Sequence, residues 1–223
     1  MSLFGRRELD LRSWWHSVRE SITIIIFCIL GIILAYAILR VTLPDVDKAG
    51  ALAVYNAAVS NSALDDVTGY IATAGDLIWV PLIFWMYVFR KNKHGWHSSL
   101  ILAVAIVTAM ALVEILKTGF NLPRPFQPLG KPTVPGITPK FETPTPINPG
   151  FPSGHTTNAF TTALVLLGRY RNWGWIFLGL AVGTGVSMVH LGLHFPSDVI
   201  AGAFLGTLCG TFVLGLAKHR EGF

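Results

Sequence analysis

The sequence predicts an all-α integral membrane protein, a bundle of six membrane-spanning helices with both termini in the cytoplasm. Two observations carry this prediction. Charged residues make up 13% of the 223 positions and hydrophobic residues 52%, whereas a soluble domain has about 25% charged residues. Several apolar runs also approach the roughly 20 residues that a helix needs to cross a bilayer. We expect residues 1–223 to form a single membrane-embedded domain.

Six apolar segments follow one another along the chain. The predicted spans are residues 21–41, 68–89, 97–118, 155–170, 173–191 and 197–217. The first could instead be a cleaved secretory signal, because it has a basic start and an A-Y-A tripeptide at residues 35–37. The apolar run passes straight through that tripeptide, so we expect the segment to remain as a span.

The basic residues indicate how the spans are oriented. Eleven of the 17 lysines and arginines precede the first span, follow the sixth, or lie in the second-to-third and fourth-to-fifth loops. Loops rich in lysine and arginine face the cytoplasm, so residues 42–67 and 119–152 are expected outside. The same distribution accounts for the net charge of +5 without a nucleic-acid partner. We expect a multi-pass protein of the plasma membrane.

The second outer loop, residues 119–152, holds ten of the thirteen prolines. Proline removes a backbone donor and breaks helices, so this loop is expected to be extended and rich in turns. Loops of this length are usually functional or disordered. We favour a functional loop because its two ends carry polar motifs.

The first motif is a pair of cations. Lys117 ends the third span, and Arg124 follows seven positions later, next to Pro125. An ammonium acts on a phosphate as a point charge, whereas a guanidinium can grip two of its oxygens. Cations at helix ends are often structural, because their stems lie along apolar surface. The pair alone therefore does not establish a site.

The second motif, Pro152-Ser153-Gly154-His155, stands where the fourth span begins. Backbone N–H groups at a helix N-terminus are unpaired and favour a bound anion. Ser153 adds a hydroxyl donor, and Gly154 allows the backbone to approach closely. An ordinary helix start would explain all of this except His155.

The third motif places His194 four residues before Asp198 at the start of the sixth span. Asp198 can hold one ring N–H of His194, which leaves the other ring nitrogen as a nucleophile. A metal site is an alternative, with four candidate ligands: His155, His190, His194 and Asp198. Lys117 and Arg124 would repel a metal cation, so we expect no metal and no other cofactor.

Together these motifs resemble the three signatures of the type 2 phosphatidate phosphatase superfamily. The matching patterns are K-x6-R-P at residues 117–125, P-S-G-H at 152–155 and S-x6-H-x3-D at 187–198. That family consists of six-helix membrane lipid phosphatases, including undecaprenyl pyrophosphate phosphatases, with the active site on the outer face. The string L-G-L-H-F-P-S-D-V-I-A-G is also similar to members of the family.

The resemblance implies metal-independent hydrolysis of a lipid phosphate or lipid pyrophosphate at the extracytoplasmic face, among membrane lipids. His194 would attack phosphorus and form a phosphohistidine, Asp198 would orient His194, and His155 would protonate the leaving oxygen. The implied ligands of the phosphate oxygens are Lys117, Arg124, Ser153 and the amide of Gly154.

One position departs from the family pattern, because Met188 stands where the family has an arginine that binds phosphate. Loss of one such donor could cost about 100- to 1,000-fold in rate. The site could work with its two remaining cations, or His190 could assist if it shares a helical face with Ser187 and His194. The alternative is a catalytically weak membrane protein that binds or moves phospholipid.

Overall fold

The protein is helical throughout the part of the chain that the structure describes. The computed structural model describes residues 11–57, 62–89, 93–125 and 149–221. The helices are α1 (Leu11–Leu34) with a π-helical continuation (Ala35–Thr42), α2 (Pro44–Asn56), α3 (Ser62–Leu77), α4 (Trp79–Phe89), α5 (Lys93–Phe120), α6 (Gly154–Arg169), α7 (Arg171–His190) and α8 (Pro196–Glu221). The predicted all-α class is confirmed over these ranges. Within the proline-rich loop 119–152, residues 126–148 lie outside them.

Several of the described helices can cross a membrane. Three are long and apolar enough by themselves: Ile22–Thr42, Trp96–Phe120 and Pro196–Ala217. A fourth candidate is the pair Ala63–Gly75 and Trp79–Val88 taken together, although the two helices are bent by 48°. The chain therefore has the character of a multi-pass membrane protein. The six-span count and the position of the termini stay predictions.

The predicted second span, residues 68–89, is divided between two helices. α3 ends at Leu77 and α4 begins at Trp79. The cause is Pro81, which has no N–H to donate to the carbonyl of Leu77, and whose ring would clash with that carbonyl in a continuous helix. The apolar run is thus continuous in sequence but bent in the structure.

Helix α6 lies at the centre of the bundle and packs against α5, α7 and α8. Its 16 residues extend about 24 Å, less than the roughly 30 Å of a bilayer core. Two buried threonines donate their hydroxyls to carbonyls one turn earlier: Thr157 to that of Ser153 and Thr161 to that of Thr157, both at 2.8 Å. A short helix with small buried side chains lets its neighbours approach closely.

Glycines on α8 determine how closely it approaches α6. A β-carbon added to Gly202 would lie 2.7 Å from the carbonyl oxygen of Ser153, and one added to Gly210 would lie 2.9 Å from Cβ of Leu164. Both distances are shorter than real β-carbon contacts. The close packing of α6 on α8 places the start of α6 directly against the start of α8.

Candidate active site

The three motifs meet at one end of the bundle, where α5 ends, α6 begins and α7 turns into α8. Two backbone hydrogen bonds join these segments. The amide of Gly150 donates to the carbonyl of Leu122 at 2.8 Å, and the amide of Ser153 donates to the carbonyl of Asp198 at 2.9 Å. The first bond joins the two ends of the proline-rich loop 119–152, and the second joins the start of α6 to the first turn of α8.

The turn between α7 and α8 presents His194. Gly192 has a φ of 72°, a left-handed conformation that glycine adopts without the steric cost of a β-carbon. The carbonyl of Met188 accepts hydrogen bonds from the amides of Leu193 and His194, at 3.1 and 3.2 Å. Position 188 thus helps to fix the backbone of His194 whatever its side chain is.

His194 and Asp198 form the pair expected from their spacing. Nδ1 of His194 lies 3.3 Å from Oδ2 of Asp198, and the two side chains are 1% and 0% exposed. The same oxygen accepts the amide of Phe195 at 2.9 Å. A carboxylate held in this way stabilises the tautomer of His194 whose proton is on Nδ1, which makes Nε2 the basic, nucleophilic nitrogen.

Ser153 caps helix α6 and is fully buried. Its hydroxyl oxygen accepts the amide of Thr156 at 3.4 Å and the hydroxyl of Thr156 at 3.0 Å. His155 follows in the first turn of the helix and is partly exposed. The helix N-terminus expected from the second motif is therefore present, with a serine at its cap and a histidine beside it.

The two cations of the first motif lie against the other two motifs. A β-carbon on Gly154 would be 4.0 Å from Nζ of Lys117. A β-carbon on Gly150 would be 3.0 Å from Oδ2 of Asp198 and 3.2 Å from Cγ of Arg124. The structure therefore brings together residues from all three motifs.

Met188 and His190 have surroundings that the sequence does not reveal. The side chain of Met188 is 1% exposed and packs in an apolar cluster with Ala72, Leu191 and Leu193. Nε2 of His190 lies 2.8 Å from Oδ1 of Asp65. His190 thus joins α7 to α3 through this nitrogen, and the assistance to the site considered above stays a prediction.

Two charged residues near the site were missed by the sequence analysis. Arg40, near the C-terminal end of the first span, lies with Nη1 3.3 Å from Oδ2 of Asp47 and 4.0 Å from Oδ1 of Asp198. Asp47, in α2, accepts hydrogen bonds from the amide and hydroxyl of Ser197, at 2.9 and 2.6 Å. A signal was available for Arg40, because an arginine at the end of a span that is predicted to face outside runs against the positive-inside rule.

Several known proteins are similar to this chain in sequence or in fold. An undecaprenyl-diphosphatase of Sulfolobus acidocaldarius is 32% identical over 135 residues, covering 59% of this chain and 60% of the relative. The crystal structure of Aquifex aeolicus LpxE is similar with a TM-score of 0.61 and 31% identity, covering 74% of this chain and 92% of that one. That of a phosphatidylglycerolphosphate phosphatase from Bacillus subtilis has a TM-score of 0.66 and 26% identity, covering 91% and 98%.

The matches cover different shares of this chain and of its relatives. The chain spans about three fifths of the length of the curated relatives it matches. The model of the PAP2 superfamily matches residues 98–221, more than half of the chain and all three motifs. The chain therefore belongs to the PAP2 superfamily, the phosphatases that its motifs resemble.

Proposed function

We propose that this protein hydrolyses a lipid phosphate or lipid pyrophosphate, without a metal ion, through a phosphohistidine on His194. The observation that carries the proposal is the buried pair of His194 and Asp198, 3.3 Å apart, next to two cations and a helix N-terminus. A nucleophile oriented by a carboxylate, beside groups that bind an anion, is suited to attack on phosphorus.

The first step transfers the phosphoryl group to the enzyme. Nε2 of His194 attacks phosphorus while Nδ1–H donates to Asp198, and the bond from phosphorus to the leaving oxygen breaks. His155, in its protonated form, gives its proton to that oxygen. Two cations, Lys117 and Arg124, stabilise the negative charge on the non-bridging oxygens, together with two neutral hydrogen-bond donors, the hydroxyl of Ser153 and the amide of Gly154.

The second step regenerates the enzyme. Neutral His155 now takes a proton from water, whose oxygen attacks the phosphorus of the phosphohistidine. The P–N bond breaks, and its electron pair returns to Nε2 of His194. Inorganic phosphate leaves, and His155 is again protonated. Lys117 and Arg124 would repel a divalent cation at this place, which supports a mechanism that needs none.

The substrate is proposed to be a membrane lipid with a phosphate or pyrophosphate headgroup. Relatives named for such activity include an undecaprenyl-diphosphatase and a phosphatidylglycerophosphatase. The helices carry large exposed apolar side chains, among them Phe27, Val107 and Ile115. These faces allow the lipid tail to stay in the bilayer while the headgroup reaches the end of the bundle.

The site is proposed to face the outside of the cell, in a single domain of six spans with cytoplasmic termini. The site is at the C-terminal end of α5 and the N-terminal end of α6. Arg169 and Arg171 stand at the opposite end of α6, and clusters of this kind favour the cytoplasm. This arrangement supports a plasma-membrane enzyme acting on lipids of the outer leaflet.

The test is phosphate release by the purified protein in detergent. Undecaprenyl pyrophosphate, phosphatidylglycerophosphate and phosphatidate are assayed with and without EDTA. We expect release from at least one lipid, insensitivity to EDTA, and inhibition by vanadate, which mimics five-coordinate phosphorus. His194→Ala should abolish release, whereas His97→Ala, at the other end of α5, should not. Loss of activity on chelation would contradict the proposed mechanism.

A second candidate function is favoured by one observation, the burial of Met188 in an apolar cluster. Without the family's arginine the protein would be a catalytically weak membrane protein that binds or moves lipid phosphates. Met188→Arg separates the two functions. An inactive parent with an active Met188→Arg variant would favour lipid binding or transport, whereas an active parent supports the phosphatase.

A further inference from the structure

We propose that Arg40 is a positioning residue that holds Asp198, and through it His194, in the reactive arrangement. Arg40 lies outside the three motifs and outside residues 98–221, which match the family model. The inference rests on the proposed function, because it assigns Arg40 to the same reaction. In this role, the N-terminal part of the chain contributes a residue that supports the site.

The contacts of Arg40 place it among the residues next to the motifs. Its Nη2 donates to the carbonyl of Pro123, the residue before Arg124. Its guanidinium carbon lies 4.0 Å from the centre of the Phe195 ring, the residue after His194. The Arg40 side chain is only 10% exposed. A cation buried to this degree requires partners, and each partner of Arg40 belongs to the site or supports it.

Arg40 faces the oxygen of Asp198 that His194 does not use. Oδ2 of Asp198 is engaged by Nδ1 of His194 and the amide of Phe195. Oδ1 is buried and accepts no hydrogen bond from the described residues, and Nη1 of Arg40 lies 4.0 Å from it. In a buried setting the attraction between these charges is much stronger than in water. Arg40 thus favours the ionised carboxylate and keeps Oδ2 turned toward His194.

Arg40 is itself held in place by Asp47. That carboxylate is 2% exposed, accepts Nη1 of Arg40 at 3.3 Å, and binds both the amide and the hydroxyl of Ser197. The pKa of Asp47 is raised, chiefly by burial and further by the neighbouring Asp198, while the Ser197 hydrogen bonds and Arg40 oppose the rise. Asp47 therefore ties α2 to the first turn of α8, and Arg40 spans the gap between the carboxylates of Asp47 and Asp198.

The backbone around Arg40 is of an uncommon type. Arg40 lies in the π-helical segment Ala35–Thr42. π-helical turns are rare and occur frequently at functional sites. Tyr36, in the same segment, packs its ring 4.7 Å from that of Phe120 and 5.8 Å from that of Phe151. The segment thus contacts both ends of the proline-rich loop 119–152.

Arg40 does not take the place of the arginine that is absent at position 188. It approaches Oδ1 of Asp198, the carboxylate that bonds Nδ1 of His194, whereas the attacking nitrogen is proposed to be Nε2. Its effect should therefore appear in the rate of the chemical step and not in the binding of the substrate. This separates a positioning role from a phosphate-binding role.

The experiment measures kcat and KM for three variants of the purified full-length protein. The substrate is the lipid that the wild type hydrolyses. Arg40→Gln removes the positive charge, and Arg40→Lys keeps the charge but lacks the planar guanidinium group. Lys48→Gln is the matched control. Lys48 lines the same cleft as Arg40 but is 47% exposed and pairs with the exposed Asp45. We expect Arg40→Gln to lower kcat roughly 10- to 100-fold, as orienting groups do at other sites, with KM unchanged. Arg40→Lys should recover part of kcat.

Chemical rescue adds a measurement that a purely structural role would not affect. A cleft of about 310 Å³ lies beside Arg40, lined by Arg40, Pro44, Asp47, Lys48, Pro123 and Phe195. Arg40→Ala should open it further, so millimolar guanidinium should restore part of kcat in this variant. The same concentration of guanidinium should not restore kcat in Asp198→Asn, which lacks the carboxylate that the cation would hold.

The outcomes separate this inference from the function on which it rests. A wild type that releases no phosphate from any lipid overturns the proposed function, and the role of Arg40 with it. An active wild type with an unchanged kcat in Arg40→Gln overturns only the role of Arg40. A change confined to KM, or an equal loss in Lys48→Gln, also overturns it, because substrate binding or general surface charge would then explain the effect.

Discussion

The close approach of α6 and α8 at Gly202 should be necessary for activity. In Gly202→Ala the new β-carbon would lie 2.7 Å from the carbonyl oxygen of Ser153 and 3.2 Å from Cβ of Thr156, whereas ordinary contacts begin at 3.4 Å. The Ser153 oxygen belongs to the backbone and cannot rotate away. The two helices must therefore separate by about 0.7 Å at this point, where the extra methyl group overpacks the contact.

Such a separation affects both stability and rate. Overpacking of this kind costs about 1–3 kcal/mol, which should lower the midpoint of thermal unfolding in detergent. The shift also stretches the 2.9 Å hydrogen bond from the Ser153 amide to the Asp198 carbonyl. Because a displacement of about 1 Å can cost roughly 100-fold in rate, we expect kcat to fall about 10- to 100-fold.

The matched control is Gly179→Ala on α7. A β-carbon at this exposed position meets nothing within 4 Å, and alanine favours a helix over glycine by about 0.5–1 kcal/mol. This variant should keep its activity and be at least as stable as the wild type. A Gly202→Ala variant that matches Gly179→Ala in both measurements would refute the claim that α6 and α8 hold the site by close contact.

Three further substitutions have expected results. Asp198→Asn should lower kcat by about 10³- to 10⁴-fold, because it allows the wrong tautomer of His194; a variant as active as the wild type in phosphate release would contradict this. Gly150→Ala should lower kcat about tenfold with KM little changed, because the new β-carbon would lie 3.0 Å from Oδ2 of Asp198 and displace it. An unchanged kcat would count against this effect. Ser197→Ala should reduce thermal stability by about 1–3 kcal/mol, because Asp47 loses a buried hydrogen bond; an unchanged unfolding midpoint would show that this bond contributes little.

The sequence was most informative where the relevant distances along the chain are short. His194 and Asp198 are four residues apart and lie at a helix start, so their contact follows from local geometry. Ser153 precedes an apolar run, and its role as the cap of α6 follows from the preference of serine for that position. The predicted segment 155–170 accordingly lies within one residue of the observed α6, Gly154–Arg169.

The features that the sequence did not predict depend on contacts between distant parts of the chain. Asp47 and Ser197 are 150 residues apart, and Arg40 and Pro123 are 83 apart. No periodicity or spacing in the sequence indicates such pairs. The pairing of His190 with Asp65, across 125 residues, belongs to the same class. The bend between α3 and α4 is different, because Pro81 within the apolar run was a local signal for it.

His194 is proposed to accept the phosphoryl group, and the direct test of this role is to trap the phosphorylated enzyme. The purified protein is mixed with a phosphate-labelled lipid substrate, quenched with alkali within the first turnover, and the labelled peptide is identified by mass spectrometry. We expect a base-stable, acid-labile phosphohistidine at residue 194 that is absent from His194→Ala. Label on another residue, or full turnover by His194→Ala, would contradict it.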